Sequence, residues 1–356
     1  MTSGRVWWCI GLLSTLVQPA AAAPKDEALL EEKIIFAREG ALWRTDARGR
    51  GPAEKLVALP RAGRVRSLRA DTSKQHLVVD IDGSWWWMPL PTGTLRSLPC
   101  TTPPETGSDA SCLVCTVGNK LSLVHLATGR VTPLPAGTTQ ASMVGSRAER
   151  QVFWANGDGL FAAYPGQWKR GRRVADPPLR WLSVSPNGKR ALGVYAGTVH
   201  EKKQEVPADI LSSFALDGVG ARRKVIRNGI PLGWSDDSEW ALVQEGPRAC
   251  LMRVAGGEYK CWKGFHASSI APDGAWVLVL GDRARSGDAA PARSKRPSPG
   301  ASAEGESGEQ SSDAEGEVAI PSGPLSLFRA PREGAFSDRP ILVERDVDGA
   351  ALWLGR

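Results

Sequence analysis

No run of 18 apolar residues occurs anywhere in the chain, so the segment that a membrane-spanning helix needs is missing. Histidine is scarce: the four residues at 76, 125, 200 and 266 are isolated from one another, and no H-E-x-x-H motif is present. No G-x-S-x-G elbow occurs either, which removes that route to an activated serine. Charge of one sign is in short supply, with a net +7 over 356 residues and no concentrated basic stripe, so a nucleic-acid partner is not expected. A collagen period, a coiled coil and a small disulfide scaffold are excluded by composition. No segment sustains a 3.6-residue apolar period, so helices should be nearly absent.

Two segments are set aside before the fold is considered. Met1–Ala23 has an early Arg5, the apolar run Val6–Val17 and a small-residue end at Ala20–Ala23, the pattern of a secretory leader. Residues 283–322 are rich in Ser, Gly, Ala, Pro, Glu and Arg and contain no aromatic side chain. Such a composition cannot bury enough apolar surface to offset ordering entropy, so a disordered insert is expected there.

What remains is repetitive. Ser185-Pro186-Asn187-Gly188 leads into Lys189-Arg190-Ala191-Leu192, Ser235-Asp236-Asp237-Ser238 into Glu239-Trp240-Ala241-Leu242, and Ala271-Pro272-Asp273-Gly274 into Ala275-Trp276-Val277-Leu278. Each is a tight turn opening a strand, because proline presets φ and Asn, Asp and Gly tolerate the remaining dihedrals. Weaker copies begin at Asp71, Ser108 and Ser146, and a further unit starts near Ala28. The six anchors from 71 to 271 are spaced by 36 to 50 residues. Dividing the roughly 290 remaining residues by a repeat of about 40 gives seven units, with six or eight as alternatives. Hairpin turns such as Glu39-Gly40, Asp82-Gly83 and Gly118-Asn119, and later Thr92-Gly93 and Thr128-Gly129, divide each unit into four short strands.

Four-stranded antiparallel units repeating every 40 residues indicate an all-β fold, a single β-propeller over residues 24–356. Blades stack face to face, so strands are apolar on both sides; Trp86 should face one neighbouring blade while Trp85 and Trp87 face the other. The first unit lacks one strand and Ala350–Gly355 is a strand without a blade, so the C-terminal strand is expected to close the ring.

The Ser-Pro-Asn-Gly and Ala-Pro-Asp-Gly turns at 185 and 271, with the Leu42-Trp43 strand, resemble the TolB-type, WD-repeat-like propeller repeats of exported bacterial proteins. The resemblance covers most of residues 30–282 and 323–356. It implies a propeller used as a binding platform, and sometimes as the substrate-gating domain of a serine peptidase; the motifs themselves assign no catalytic residue, metal or cofactor.

Cysteine usage fits export. Cys9 leaves with the leader, and Cys250 and Cys261 flank the Ala255-Gly256 turn symmetrically, within reach of a disulfide. Cys100 is expected to bridge Cys112, leaving Cys115 free; a bridge to Cys115 would leave Cys112 free instead. Trp181 and Trp234 precede the repeated turns, on the innermost strands, and are candidates for lining a central channel, as are His76 and His266. The expected function is that of a non-enzymatic, periplasmic or secreted monomer that binds a protein or an envelope polymer through its channel mouth or blade edges. The alternatives are a channel-sited enzyme of lactonase or lyase type, or a small-molecule sensor.

Overall fold

The computed structural model describes residues 32–49, 51–71, 73–106, 111–145, 150–176, 178–201, 204–216, 223–255, 259–281, 325–332 and 340–355. The expected leader, the insert 283–322 and the turn anchors near 28, 108 and 146 lie outside these residues.

The turns at 185 and 235 are built the same way. Ser185 Oγ accepts the Arg190 N–H at 3.0 Å while Asn187 Oδ1 accepts the Lys189 N–H at 3.0 Å. Ser235 and Asp237 do the same for Trp240 and Glu239, at 3.0 and 2.9 Å. In the turn that starts at residue 71 the Asp71 carboxylate replaces the serine, accepting from Gln75 and His76 N–H groups at 2.8 and 3.0 Å. Short side-chain acceptors thus satisfy backbone donors that the tight turn would leave unpaired. The fourth residue must take a positive φ, and it does so as Gly188 (67°), Gly274 (66°), Ser238 (65°) and Lys74 (55°).

These four turns each join the first and second strands of a four-stranded antiparallel sheet, and there are seven such sheets. Blade 1 runs from the inside outward as Ala351–Gly355, Lys33–Arg38, Ala41–Asp46 and Glu54–Ala58. Blade 2 is Val65–Ala70, His76–Ile81, Ser84–Pro89 and Arg96–Ser97; blade 3 is Glu105–Thr106, Cys112–Val117, Lys120–His125 and Val131–Pro133. Blade 4 is Gln140–Val144, Gln151–Asn156, Gly159–Ala163 and Arg172–Ala175; blade 5 is Trp181–Val184, Arg190–Glu201, Gln204–Ala215 and Arg223–Arg227. Blade 6 is Gly229–Trp234, Trp240–Glu245, Arg248–Arg253 and Tyr259–Lys263; blade 7 is His266–Ile270, Trp276–Gly281, Leu325–Pro331 and Ile341–Val347. Among the described residues the helical content is one 3-10 turn, Trp168–Arg170.

The core is a ring of seams. Apolar clusters fill the gap between every pair of adjacent blades, and each blade contributes alternate residues to the seams on its two sides. Trp85 and Trp87 pack toward blade 3 with Leu113 and Cys115, while Trp86 packs toward blade 1 with Leu42 and Leu352. This continuous burial is why the strands read as unbroken apolar runs.

The ring closes through the C-terminal strand. Trp353 lies opposite Ile34, Leu352 opposite Ile35 and Ala351 opposite Phe36. Ser268 Oγ of blade 7 accepts the Ala351 N–H at 3.0 Å, and Ser269 Oγ accepts the Trp353 N–H at 3.1 Å. The Trp353 ring, 1% exposed, fills the seam between blades 7 and 1, and its Nε1 donates to Glu32 Oε2 at 2.6 Å. Trp353→Ala should therefore destabilise the protein by about 3–5 kcal/mol, the cost of truncating a fully buried tryptophan. Chemical denaturation measures this; a change below about 1 kcal/mol, the level of a surface substitution, would contradict the seam's role.

Candidate binding surface on the hairpin face of the ring

In every blade the turn between strands two and three, and the crossing to the next blade, emerge at one end of the ring. The tight turns between strands one and two occupy the other end. Among the described residues, the longest hairpin at the first end belongs to blade 5. Its middle strands are 12 residues each and stay paired from Arg190↔Ala215 out to Glu201↔Gln204. The inner strand stops supporting this ladder at Val194, opposite Trp181, and the outer strand stops at Ile210, opposite Arg227. Beyond those points a two-stranded ribbon of about six residue pairs extends roughly 20 Å past the blade's four-stranded part.

The ribbon has two unlike faces. Tyr195 and Ile210 are opposite each other at its root and are buried; Val199 and Val206 are paired and half-buried further out. This apolar side joins the cluster that holds Phe153 and Leu160, with Val174 and Ala175 of blade 4 at its margin. Gly197 lies on that side, where a Cβ would come within 2.5 Å of Ile210 Cδ1 and push that side chain aside. The other side carries exposed Ala196, Thr198, His200, Glu205 and Pro207. His200 Nε2 lies 3.6 Å from Glu205 Oε1, and at the root Arg180 Nη1 lies 3.1 Å from Asp209 Oδ1. Anchored on one face and polar on the other, the ribbon presents backbone N–H and C=O groups along both edges beyond its root.

The expected channel residues do not converge. His76 begins the second strand of blade 2, one strand out from the channel, where its ring is tilted at 46° to that of Trp87 with 5.3 Å between ring centres and lies 3.5 Å from the Asp71 carboxylate. Its expected channel role is thereby corrected: the residue falls after the tight turn, not before it. Trp181 starts the inner strand of blade 5 and Trp234 ends that of blade 6, at opposite ends of the ring. Both pack into the seam between blades 5 and 6, and Trp234 Nε1 donates to Ser183 Oγ at 2.9 Å. His266 opens the inner strand of blade 7. Besides it, the ionisable residues on the seven inner strands are Arg66, Arg69 and Glu105. Burial raises the Glu105 carboxyl above the ordinary glutamate range, and the Arg69 guanidinium 3.3 Å away acts against that shift.

Cysteine pairing follows face parity. Cys250 and Cys261 are cross-strand partners in blade 6 and form a disulfide. Cys100 pairs with Cys115, not with Cys112. Cys115 shares the face of Leu113, turned to blade 2, where Cys100 and Trp87 lie; Cys112, three residues earlier, faces blade 4. Cys112 is thus the reduced cysteine among the described residues. Glu245 sits beside the Cys250–Cys261 pair, but with both sulfurs in the disulfide no thiolate remains there for a metal. Among the described residues no helix is long and apolar enough to cross a membrane.

Three arginines of the basic segments 61–69 and 169–173 are engaged. Arg66 lies 3.9 Å from Asp82, Arg172 donates to the Leu216 carbonyl at 3.1 Å, and Arg173 is paired with Asp176. Arg222 lies outside the described residues. The long ribbon was not anticipated, although the 50-residue spacing between the anchors at 185 and 235 carries its signal.

Seven four-stranded antiparallel blades closed by a terminal strand define a seven-bladed β-propeller, the fold that the TolB-type repeat implies. Among solved structures, the chain is similar to TolB from Acinetobacter baumannii, with a TM-score of 0.47 and 11% identity over 65% of this chain and 64% of that one. It is also similar to a putative TolB from Agrobacterium tumefaciens, with a TM-score of 0.41 and 12% identity over 89% of this chain and 90% of that one. The chain thus spans under two thirds of the Acinetobacter structure's length. No protein-family model and no curated protein matches the sequence.

Alkylating the unfolded, unreduced chain without Met1–Ala23 should label one thiol, at Cys112; a label at Cys115 would contradict the pairing. Losing the Cys100–Cys115 bridge, which spans a sequence separation of 15, should cost about 3 kcal/mol.

Proposed function

We propose that the protein is a non-catalytic, exported β-propeller that binds a partner protein of the cell envelope through the ribbon of blade 5. The observation that carries this reading is the unsupported length of that ribbon. A two-stranded ribbon gains little by itself in water, and open strand edges invite unwanted pairing. The inner and outer neighbour strands of blade 5 pair only with the root of the hairpin. Addition of an extended partner segment to such an edge uses main-chain hydrogen bonds for affinity and the alternating side chains for specificity. Pro207 lacks an N–H to donate, which makes its strand the poorer edge and favours the Arg190–Glu201 strand as the docking side. Export is supported by the leader-like Met1–Ala23 and by two disulfides, which persist in oxidising compartments. The resemblance of the repeat to TolB-type repeats points the same way, toward a platform for binding.

The test is site-directed photo-crosslinking in cells. A photoreactive residue at Thr198 should give a discrete crosslinked partner, and one at Thr128, in a turn at the opposite end of the ring, should not. Replacing residues 196–209 by Asn-Gly should remove the partner while leaving the melting transition in place. Equal crosslinking from both ends, or capture that survives the shortened hairpin, would overturn the ribbon as the binding element.

A further inference from the structure

The end of the ring opposite the ribbon holds a cluster that the binding role does not use. Cys112 begins the second strand of blade 3 and lies directly opposite His125 in the ladder, so the two side chains share a face. Cys112 Sγ is 3.0 Å from His125 Nδ1. Arg150 reaches across from blade 4, where it immediately precedes the strand Gln151–Asn156, and its Nη1 donates to the same sulfur at 3.1 Å. The other guanidinium nitrogen, Nη2, donates to Ser111 Oγ at 2.6 Å, and Ser111 Oγ is 3.7 Å from the sulfur. Cys112 is 2% exposed and Arg150 7%, with Val114, Leu123, Leu134 and Trp154 in the surrounding cluster.

Three properties follow from this arrangement. A thiol beside an imidazole nitrogen has a base in position to take its proton as the sulfur attacks. A guanidinium on the sulfur stabilises negative charge that develops there, and it also disfavours a metal cation. Burial, finally, admits a small uncharged reagent far more readily than a bulky one. The facing of the strand keeps this thiol away from the Cys100–Cys115 bridge, which lies in the seam on the other side of the blade. Exchange with that disulfide is therefore not its chemistry.

We propose that Cys112, with His125 as base and Arg150 as electrostatic partner, is a peroxide-reactive thiol that takes up one oxygen atom from a small hydroperoxide. The sulfur attacks the terminal peroxide oxygen as its proton passes to His125 Nδ1. The S–O bond forms, the O–O bond breaks, and the departing alkoxide or hydroxide takes the proton from His125. Cys–SH and ROOH become Cys–SOH and ROH; the sulfur loses two electrons and the peroxide gains them. This assignment does not depend on what the ribbon binds.

The test uses the disulfide-intact full chain. It is exposed to hydrogen peroxide, quenched with catalase, then unfolded in the presence of a dimedone probe and read by peptide mass. The folded chain should form the Cys112 sulfenic acid about 10-fold faster than the same chain in urea, a modest share of the ~10²–10⁴ that a positioned base can supply. A bulky aromatic disulfide should show the reverse order, reacting faster with the unfolded chain. His125→Phe and Arg150→Met should each reduce the peroxide rate to near the unfolded value at unchanged secondary structure. The folded-against-unfolded comparison needs no variant and stands if either substitution disrupts folding. A folded rate no higher than the unfolded one, or folded variants that react like the native chain, overturns the proposal.

Discussion

The return of the chain's last strand to its first blade is the contact on which the remainder of the molecule depends. Each blade is apolar on both faces, so none can stand with one side in water. Seven blades give seven seams, but a linear chain makes only six of them between consecutive neighbours. The seventh, between blades 7 and 1, forms because Ala351–Gly355 pairs with Lys33–Arg38 and places Trp353 against Ile34 and Phe36. Ser268 and Ser269 then hold the backbone of the closing strand to the inner strand of blade 7. Closure removes the open sheet edge and the exposed apolar face together.

The same geometry explains which features could be read from the amino acids. The tight turns were legible because their chemistry is local: at 185 and 235 a serine acceptor at the first position and Asn or Asp at the third, and in all four a positive-φ residue at the fourth. The unpaired strand at 350–355 was legible by counting. Alternation along Trp85-Trp86-Trp87 was legible as well, since the period of a strand is two. The Cys112 pairing was not, because it depends on which seam Cys100 enters after the crossing from blade 2, a tertiary fact.

The misplacement of His76 has a similar origin. Residues just before and just after a tight turn are neighbours in sequence, yet they belong to adjacent strands, one lining the channel and the other sealed within a seam. The ribbon of blade 5 left a trace only in repeat length. An extra dozen residues between anchors reads equally as a loop, and the strand pairing out to Glu201↔Gln204 decides between them. The two proposed sites then separate by end: a projecting ribbon with open edges on one, and a buried Cys112–His125–Arg150 cluster on the other.

Closure is tested most directly by hydrogen exchange on a chain ending at residue 349. If the terminal strand completes blade 1, the truncated chain loses amide protection in Lys33–Arg38 and in the inner strand His266–Ile270, and its melting transition broadens or disappears. Full protection of both strands with an unchanged transition would contradict the closed ring.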